Sequence, residues 1–272
     1  MAVSAFFDAY EQVILDLDGC VWVGDQATAG AVEAIAALRE DGKRVAFVTN
    51  NSYHSGEELV RKLWSLGTQA SLDDVVTVGG AVQHLLAGTR AGSGALVIGT
   101  QAMRDHVSEA GLRVLNDTEL ASRADLVLVA GMLDLTYAHL RDAVLALSRG
   151  ADLIGTGRDR IYPMPEGPWP GAGALVAAVE YASGRTAQIV GKPQPQLIYT
   201  ALDRLGPGRT VMVGDRIDSD VGAAVNAGID AALVLTGGAT RDDAAAAAEP
   251  RPAAVAATLA DLVAGRDSRP PE

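Results

Sequence analysis

The chain has 272 residues, of which 49% are hydrophobic and 21% charged, and its formal net charge is −12 with a pI near 4.7. This is the composition of a globular protein with room for two domains, and the negative charge argues against nonspecific binding to nucleic acid or to an anionic membrane. The only cysteine is Cys20, which excludes an intrachain disulfide and a cysteine metal cluster. We therefore expect a cytoplasmic protein.

The first part of the chain predicts the start of a parallel sheet. The apolar residues 13–15 indicate a strand that is buried on both faces, and Asp16 and Asp18 mark its carboxyl end. Segment 29–42 has helical spacing and ends on a glycine, and 44–49 is a second buried strand. This order of elements is typical of a doubly wound sheet.

The spacing of the elements changes in the middle of the chain. A capping box at 55–58 opens the next helix, and 78–80 is predicted to be a flexible joint. Strand-like runs separated by helical segments follow at 95–100, 125–131 and 151–156. The first pattern then resumes with a helix at 195–206, a strand at 210–215, a helix at 220–228 and a strand at 231–238.

One α/β unit is therefore predicted to be inserted within another. The fold class is α/β, with a doubly wound, Rossmann-like parallel sheet as the core domain and a second α/β domain inserted into it. The core domain would consist of residues 1–79 and 185–272. The inserted domain would consist of residues 80–184.

Four short polar stretches, 16–19, 49–52, 191–193 and 214–220, carry the candidate chemistry. They read Asp-Leu-Asp-Gly, Thr-Asn-Asn-Ser, Gly-Lys-Pro and Gly-Asp-Arg-Ile-Asp-Ser-Asp. Three of them directly follow an apolar strand, and a parallel sheet brings such strand ends to one edge. We expect three carboxylates, a hydroxyl, an amide pair and an ammonium to gather there.

Carboxylates so close together need compensation. Two ionised carboxylates about 4 Å apart repel by about 4 kcal/mol at an effective dielectric near 20, so a proton, a cation or exposure to solvent must offset the repulsion. Asp16, Asp18 and Asp215 are oxygen ligands that suit Mg²⁺, and Thr49 and Lys192 suit a phosphate group. Taken alone, the first stretch is equally well explained as a polar strand exit before a glycine turn.

The four stretches in this order resemble the haloacid dehalogenase superfamily of aspartyl-phosphate phosphatases. Within it, the chain is most similar to class IIA, which includes p-nitrophenyl phosphatases, glycerol-3-phosphate phosphatases and phosphoglycolate phosphatases. The family motifs D-x-D-G, T-N-N, G-K-P and G-D-R-x-x-[ST]-D correspond to 16–19, 49–51, 191–193 and 214–220. D-x-D-G alone is a weak signal, whereas all four in order are specific, and the resemblance covers residues 11–240.

The resemblance implies a role for each stretch. Asp16 would be the nucleophile and a Mg²⁺ ligand, Asp18 would be the acid/base and bind Mg²⁺ through its backbone carbonyl, and Asp215 would be the third ligand. The residues that hold the phosphoryl group would be Thr49, Asn50, Asn51 and Lys192. Asp220, together with Gly214, would support the ligands by orienting Lys192 or a water on the metal.

The inserted domain matches the α/β cap of this family. Within it, Arg158, Asp159 and Tyr162 are expected to face the leaving group of the substrate. Cap-mediated dimers are common among the relatives, which implies a possible homodimer through the cap.

The predicted function is a Mg²⁺-dependent phosphatase that hydrolyses small phosphomonoesters through an aspartyl-phosphate. Glycerol 3-phosphate and 2-phosphoglycolate lead as substrates, with p-nitrophenyl phosphate as an artificial one. Nucleoside monophosphates, pyridoxal phosphate and phosphoryl transfer to an acceptor other than water stay open. A noncatalytic binding module is the alternative from a different functional class. Loss of Asp16 or Asp215 would favour it, and both are present. A nicotinamide oxidoreductase is a third alternative, but this sequence lacks the G-x-G-x-x-G motif of such enzymes. No nucleic-acid or membrane partner is expected.

Overall fold

The computed structural model describes residues 1–88, 90–247 and 251–266, which form fifteen strands and ten α-helices. The strands are β1 (Gln12–Asp16), β2 (Trp22–Val23), β3 (Gln26–Ala27), β4 (Arg44–Thr49), β5 (Val75–Thr77), β6 (Gly94–Ile98), β7 (Arg113–Val114), β8 (Leu126–Val129), β9 (Asp152–Gly155), β10 (Ile161–Met164), β11 (Gly167–Pro170), β12 (Gln188–Ile189), β13 (Thr210–Gly214), β14 (Asp230–Val234) and β15 (Ala254–Ala256). The helices are α1 (Ala31–Glu40), α2 (Gly56–Ser65), α3 (Val78–Leu86), α4 (Gln101–Glu109), α5 (Tyr137–Ser148), α6 (Ala172–Ser183), α7 (Gln196–Leu205), α8 (Gly222–Ala227), α9 (Arg241–Ala246) and α10 (Leu259–Ala264).

The larger sheet has six parallel strands in the order β15–β14–β13–β1–β4–β5. Val13 and Leu15 of β1 join Phe47 in the core on one face, whereas Ile14 joins Val48 in the core on the other face. Successive side chains of a strand point to opposite faces, so an unbroken apolar run fits a sheet that is covered on both sides. The predicted doubly wound parallel sheet is confirmed.

The second sheet has five parallel strands in the order β12–β9–β8–β6–β7. Its strands lie between residues 94 and 189, so the middle of the chain has a sheet of its own. Strand β12 pairs with β9 and lies past residue 184. The division of the chain into domains at 79/80 and 184/185 stays a prediction, and residues 267–272 lie outside the described residues.

The predicted flexible joint at Val78–Gly80 is instead the first turn of α3, so this prediction is wrong. The hydroxyl oxygen of Thr77 caps the helix by accepting a hydrogen bond from the backbone N–H of Gly80 at 3.1 Å. A Cβ atom on Gly79 would lie 2.5 Å from a ring carbon of His106. Glycine at 79 therefore allows α3 and α4 to pack closely.

Two short antiparallel hairpins were not predicted. The β2–β3 hairpin follows β1 and buries Trp22 completely, and the β10–β11 hairpin lies between β9 and α6. Strands of two to four residues leave too short a pattern for alternation to be seen. A helix long and apolar enough to cross a membrane does not occur in the described part of the chain.

Candidate active site

Polar side chains meet beyond the carboxyl edge of the six-stranded sheet. Asp16 is the last residue of β1, Thr49 is the last residue of β4, and Asp215 directly follows β13. Lys192 comes from the loop between β12 and α7. A cavity of about 60 Å³ lies at this edge, and it is lined by both predicted catalytic residues and by all four predicted phosphate-binding residues.

Lys192 is a buried ammonium held between two carboxylates. Its Nζ donates to Oδ1 of Asp16 at 2.5 Å and to Oδ1 of Asp220 at 2.6 Å. Burial alone would lower the pKa of Lys192, but the negative charges of Asp16 and Asp220 outweigh it and raise the pKa above its ordinary value. The site therefore keeps a fixed positive charge beside Asp16 at neutral pH, which suits an anionic group.

Asp220 is itself held in place by the backbone. Its Oδ2 accepts hydrogen bonds from the N–H groups of Asp215 at 3.1 Å and of Arg216 at 3.0 Å. A Cβ atom on Gly214 would lie 2.3 Å from Cγ of Asp220. Glycine at 214 therefore leaves the room that Asp220 needs to reach Lys192.

Three buried carboxylates form a cluster in which the oxygens of Asp16, Asp215 and Asp220 lie within 4.8 Å of one another. Burial raises the pKa of Asp16 well above its usual value. Burial and, to a smaller extent, the negative charge of Asp220 raise the pKa of Asp215 to about 7. Oδ1 of Asp215 is buried and has no hydrogen-bond partner among the described residues. The oxygen donors fit Mg²⁺, and a divalent cation would offset the charge that Lys192 alone leaves uncompensated.

The carboxylate of Asp18 lies outside this cluster and accepts hydrogen bonds from four side chains. Its Oδ1 accepts from Nε1 of Trp22 at 2.8 Å and from the hydroxyl of Tyr162 at 3.0 Å. Its Oδ2 accepts from Nδ2 of Asn51 at 3.0 Å and from the hydroxyl of Thr49 at 3.4 Å. This arrangement is compatible with the implied metal contact through the backbone carbonyl of Asp18, because the carboxylate is occupied elsewhere.

Asn50 links three parts of the site. Its Oδ1 accepts from the backbone N–H of Lys192 at 2.8 Å, and its Nδ2 donates to the carbonyl oxygen of Lys192 at 3.1 Å and to Oδ2 of Asp159 at 2.9 Å. The side chain of Asn51 likewise donates to Asp18. In this structure both amide side chains therefore position other site residues rather than stand free to meet a phosphate.

Asp159 reaches the cavity from the segment after β9. Besides the contact with Asn50, its Oδ1 lies 3.3 Å from Nε of Arg216 in an ion pair. Burial raises the pKa of Asp159, and the positive charge of Arg216 opposes that rise. Asp159 and Tyr162 thus both connect the inserted segment to the edge of the larger sheet.

Arg158 does not reach the cavity, contrary to the sequence prediction. Its guanidinium makes two hydrogen bonds to Glu180 of α6, at 2.8 and 2.9 Å, and it lines a separate cleft together with Gln188 and Arg204. The prediction for Arg158 is wrong because Glu180 holds the side chain on another face of the inserted unit.

Sequence reasoning missed the roles of Trp22 and Arg216. Trp22 is fully buried, and its indole N–H donates to Asp18. Arg216 pairs with Asp159 and also with Asp218, at 3.0 Å. A signal existed for Arg216, because it directly follows Asp215 in a matched motif. No pattern marks a tryptophan four residues after an aspartate as its hydrogen-bond donor.

The carboxylate cluster predicts that Mg²⁺ stabilises the protein more at high pH. Without metal, the pKa of Asp215 is raised to about 7, above the roughly 3.9 of an unfolded chain. The folded state then binds more protons between these values, so its stability falls as the pH rises towards 7. Because Mg²⁺ competes with those protons, we expect the Tm difference between Mg²⁺ and EDTA to grow from about pH 5.5 to about pH 8.

The size of this effect follows from mass action. At 100 times Kd, Mg²⁺ adds about 2.7 kcal/mol to the free energy of unfolding, which corresponds to roughly 5–10 °C in Tm for a protein of this size. Asp215→Asn should remove most of the difference, whereas the exposed control Asp203→Asn should keep it. A wild-type difference that is equal at both pH values would contradict the prediction.

Comparison with protein families and curated proteins places this chain among known hydrolases. A family model described as haloacid dehalogenase-like hydrolase matches residues 13–113, and a HAD-hydrolase-like model matches residues 189–262. The chain is 37% identical over 229 residues to D-glycerol 3-phosphate phosphatase of Mycobacterium tuberculosis, covering 84% of this chain but only 64% of that protein. It is 32% identical to acid sugar phosphatase of Staphylococcus haemolyticus, covering 86% of this chain and 88% of that protein.

Solved structures agree with these relatives. The glycerol phosphate phosphatase of M. tuberculosis in complex with magnesium matches with a TM-score of 0.84 and 35% identity, over 96% of this chain and 78% of that chain. The 4-nitrophenylphosphatase of Thermotoga maritima matches with a TM-score of 0.84 and 33% identity, over 96% of this chain and 99% of that chain.

Proposed function

We propose, since this chain belongs to the haloacid dehalogenase-like hydrolase family and is one of its magnesium-dependent phosphatases, that Asp16 is its nucleophile and small phosphorylated metabolites are its substrates. The observation that carries this proposal is the contact of Lys192 with Asp16 at 2.5 Å, at a cavity that Asp18 also lines. A carboxylate, a cation for the phosphoryl oxygens and a second carboxyl group are thereby available at one place.

The first half-reaction transfers the phosphoryl group to the enzyme. The Asp16 carboxylate attacks phosphorus, the bond between phosphorus and the leaving-group oxygen breaks, and that oxygen takes a proton from Asp18. In the second half, the Asp18 carboxylate takes a proton from a water molecule, which attacks phosphorus. The bond to Asp16 then breaks, phosphate leaves, and both carboxyl groups return to their starting states.

The remaining residues hold the phosphoryl group and the cation. Lys192 and the hydroxyl of Thr49 donate to phosphoryl oxygens, together with N–H groups of the 50–51 backbone. Asp16, Asp215 and the backbone carbonyl of Asp18 hold Mg²⁺, which when bound supplies positive charge beside the phosphoryl oxygens.

The two parts of the chain divide this work. The core domain, residues 1–79 and 185–272, supplies the chemistry, and the cap, residues 80–184, covers the cavity through Asp159 and Tyr162. A larger cleft of about 670 Å³ shares Ile161 and Arg216 with the cavity and gives room for the leaving group. A covered site of this size favours metabolites over folded phosphoproteins.

Glycerol 3-phosphate is the first candidate substrate, because of the resemblance to the mycobacterial phosphatase. Sugar phosphates follow, from the acid sugar phosphatases, and 2-phosphoglycolate remains a candidate. The test is a phosphate-release screen with Mg²⁺ over these compounds, pyridoxal phosphate, nucleoside monophosphates and p-nitrophenyl phosphate. Absence of phosphate release from every compound would overturn the proposed function.

The acid role of Asp18 predicts a loss that depends on the leaving group. Asp18→Asn keeps the shape of the side chain but carries no transferable proton, so kcat with glycerol 3-phosphate should fall by about 10²- to 10⁴-fold. Phosphoenzyme formation from p-nitrophenyl phosphate should fall much less, because p-nitrophenolate leaves without protonation. Rapid-quench trapping of the phosphoenzyme measures this step. Equal losses with both substrates would exclude Asp18 as the acid.

Two further proposals concern the setting of the enzyme. One is a homodimer formed through the cap, on which Leu133, Tyr137 and Tyr181 are large side chains with 71%, 83% and 95% exposed. Light scattering of the purified protein tests it. The single cysteine of the chain supports a cytoplasmic enzyme, and its net charge of −12 supports the absence of nucleic-acid and anionic-membrane partners.

A further inference from the structure

The hydroxyl of Tyr162 stands where the proposed reaction needs another oxygen. A leaving group can take a proton from Asp18 only if its oxygen lies within hydrogen-bond distance of that carboxyl group. In this structure the phenol oxygen of Tyr162 is 3.0 Å from Oδ1 of Asp18. We propose that Tyr162 holds the place of the leaving-group oxygen and that the substrate must displace it, an inference that rests on the assignment of Asp18 as the acid.

An inventory of the hydrogen bonds to Asp18 supports this reading. A carboxyl group has about four hydrogen-bonding sites, two on each oxygen, and one of them must carry the proton when Asp18 acts as the acid. Trp22 and Tyr162 donate to one oxygen, and Asn51 and Thr49 donate to the other. The sites are filled, so a substrate oxygen or a water can bond to Asp18 only after one of these donors leaves.

Three of the four donors are fixed near the central strands of the larger sheet. Thr49 ends β4, Asn51 follows two residues later, and Trp22 lies in β2 and is fully buried. The amide of Asn51 is further fixed because its Oδ1 accepts from the backbone N–H of Tyr53 at 2.9 Å. Displacing any of these three would disturb the core around the nucleophile.

Tyr162 is the donor that can withdraw. It lies on β10 of the two-stranded β10–β11 hairpin, whose second strand is largely exposed, and such hairpins are only marginally stable by themselves. Its ring packs at 5.3 Å, centroid to centroid, against the ring of Tyr53, and its hydroxyl accepts from Nδ2 of Asn51 at 3.3 Å. Two side chains of the loop after β4 therefore contact Tyr162, while its backbone belongs to the hairpin. Tyr162 therefore keeps Asp18 covered until a leaving group replaces the phenol.

Tyr162→Phe tests the inference because it keeps the ring and removes only the competing hydroxyl. Loss of one hydrogen bond to a charged group changes an equilibrium by about tenfold. We expect the Kd for inorganic phosphate, measured calorimetrically with Mg²⁺, to fall by about tenfold, and the KM for p-nitrophenyl phosphate to fall with kcat retained. Tyr199→Phe, on an exposed tyrosine of α7, is the matched control and should change neither constant.

The outcomes separate this inference from the proposed function. A Kd and KM that are unchanged or raised in Tyr162→Phe would overturn the inference, as would a fall in kcat at unchanged KM, which would mean that the hydroxyl assists the reaction. The phosphate affinity needs no turnover. A wild-type protein that binds phosphate but hydrolyses nothing therefore refutes the proposed function and still leaves the competition by Tyr162 measurable.

Discussion

Asp16→Asn should lower the hydrolysis of p-nitrophenyl phosphate on the order of 10⁴- to 10⁶-fold, the range seen when a member of a nucleophilic catalytic unit is removed. The amide keeps the size of the side chain but lacks the charge that attacks phosphorus, so no aspartyl-phosphate can form. Even the activated leaving group cannot compensate, because the missing step precedes its departure. Steady-state turnover and acid-quench trapping of phosphoenzyme together measure the loss.

A folded variant is essential for this interpretation, and the structure predicts one. Burial raises the pKa of Asp16, the positive charge of Lys192 opposes that rise, and Asp220 and Asp215 add to it. Asp16→Asn removes a buried charge while Lys192 keeps its contact with Asp220, so we expect a Tm in EDTA close to that of the wild type. Asp203→Asn makes the same chemical change on the exposed surface of α7 and should keep wild-type activity. Turnover by Asp16→Asn within tenfold of wild type would mean that another group is the nucleophile.

Much of the fold could be predicted because its strongest signals are local. Residues 13–15, directly before Asp16, are all apolar, and such a run is typical of a strand in a sheet covered on both faces. The strand at 44–49 agrees with the structure, and the capping box of Ser55 and Glu58 is present in full. The glycines at 79 and 80 led to the wrong prediction of a flexible joint. A small residue is needed at 79 because His106 of α4 packs against that position of α3.

The site could be predicted only as far as motifs define it. The placement of Asp16 and Asp215 at one sheet edge follows from parallel topology, since strand ends meet there whatever their distance in sequence. Lys192 follows β12 of the second sheet, so only its motif marks it as a site residue. The choice among cap arginines does not follow, because the partner that removes Arg158 from the site, Glu180, lies a helix away. The placement of Tyr162 against Asp18 likewise depends on a hairpin that has no clear pattern in the sequence.

Removal of the metal should lower the rate of p-nitrophenyl phosphate hydrolysis by at least about 10³-fold. A bound cation stabilises the charge that develops on the phosphoryl oxygens by several kcal/mol. The residues themselves explain the dependence. Lys192 is already engaged by Asp16 and Asp220, and Oδ1 of Asp215 is buried without a partner among the described residues. The protein alone therefore does not neutralise both this cluster and an incoming phosphate dianion.

The measurement is turnover of p-nitrophenyl phosphate after dialysis against EDTA, followed by titration with Mg²⁺. Activity should return fully, and Asp215→Asn should need a far higher Mg²⁺ concentration because one ligand is missing, while Asp203→Asn should follow the wild-type curve. Since the raised pKa of Asp215 makes protons compete with the cation, half-maximal reactivation should require more Mg²⁺ at about pH 6 than at about pH 8. Full turnover by protein shown to be metal-free would refute the assignment of Asp215 to the cation, and a titration midpoint independent of pH would exclude Asp215 as the group that titrates there.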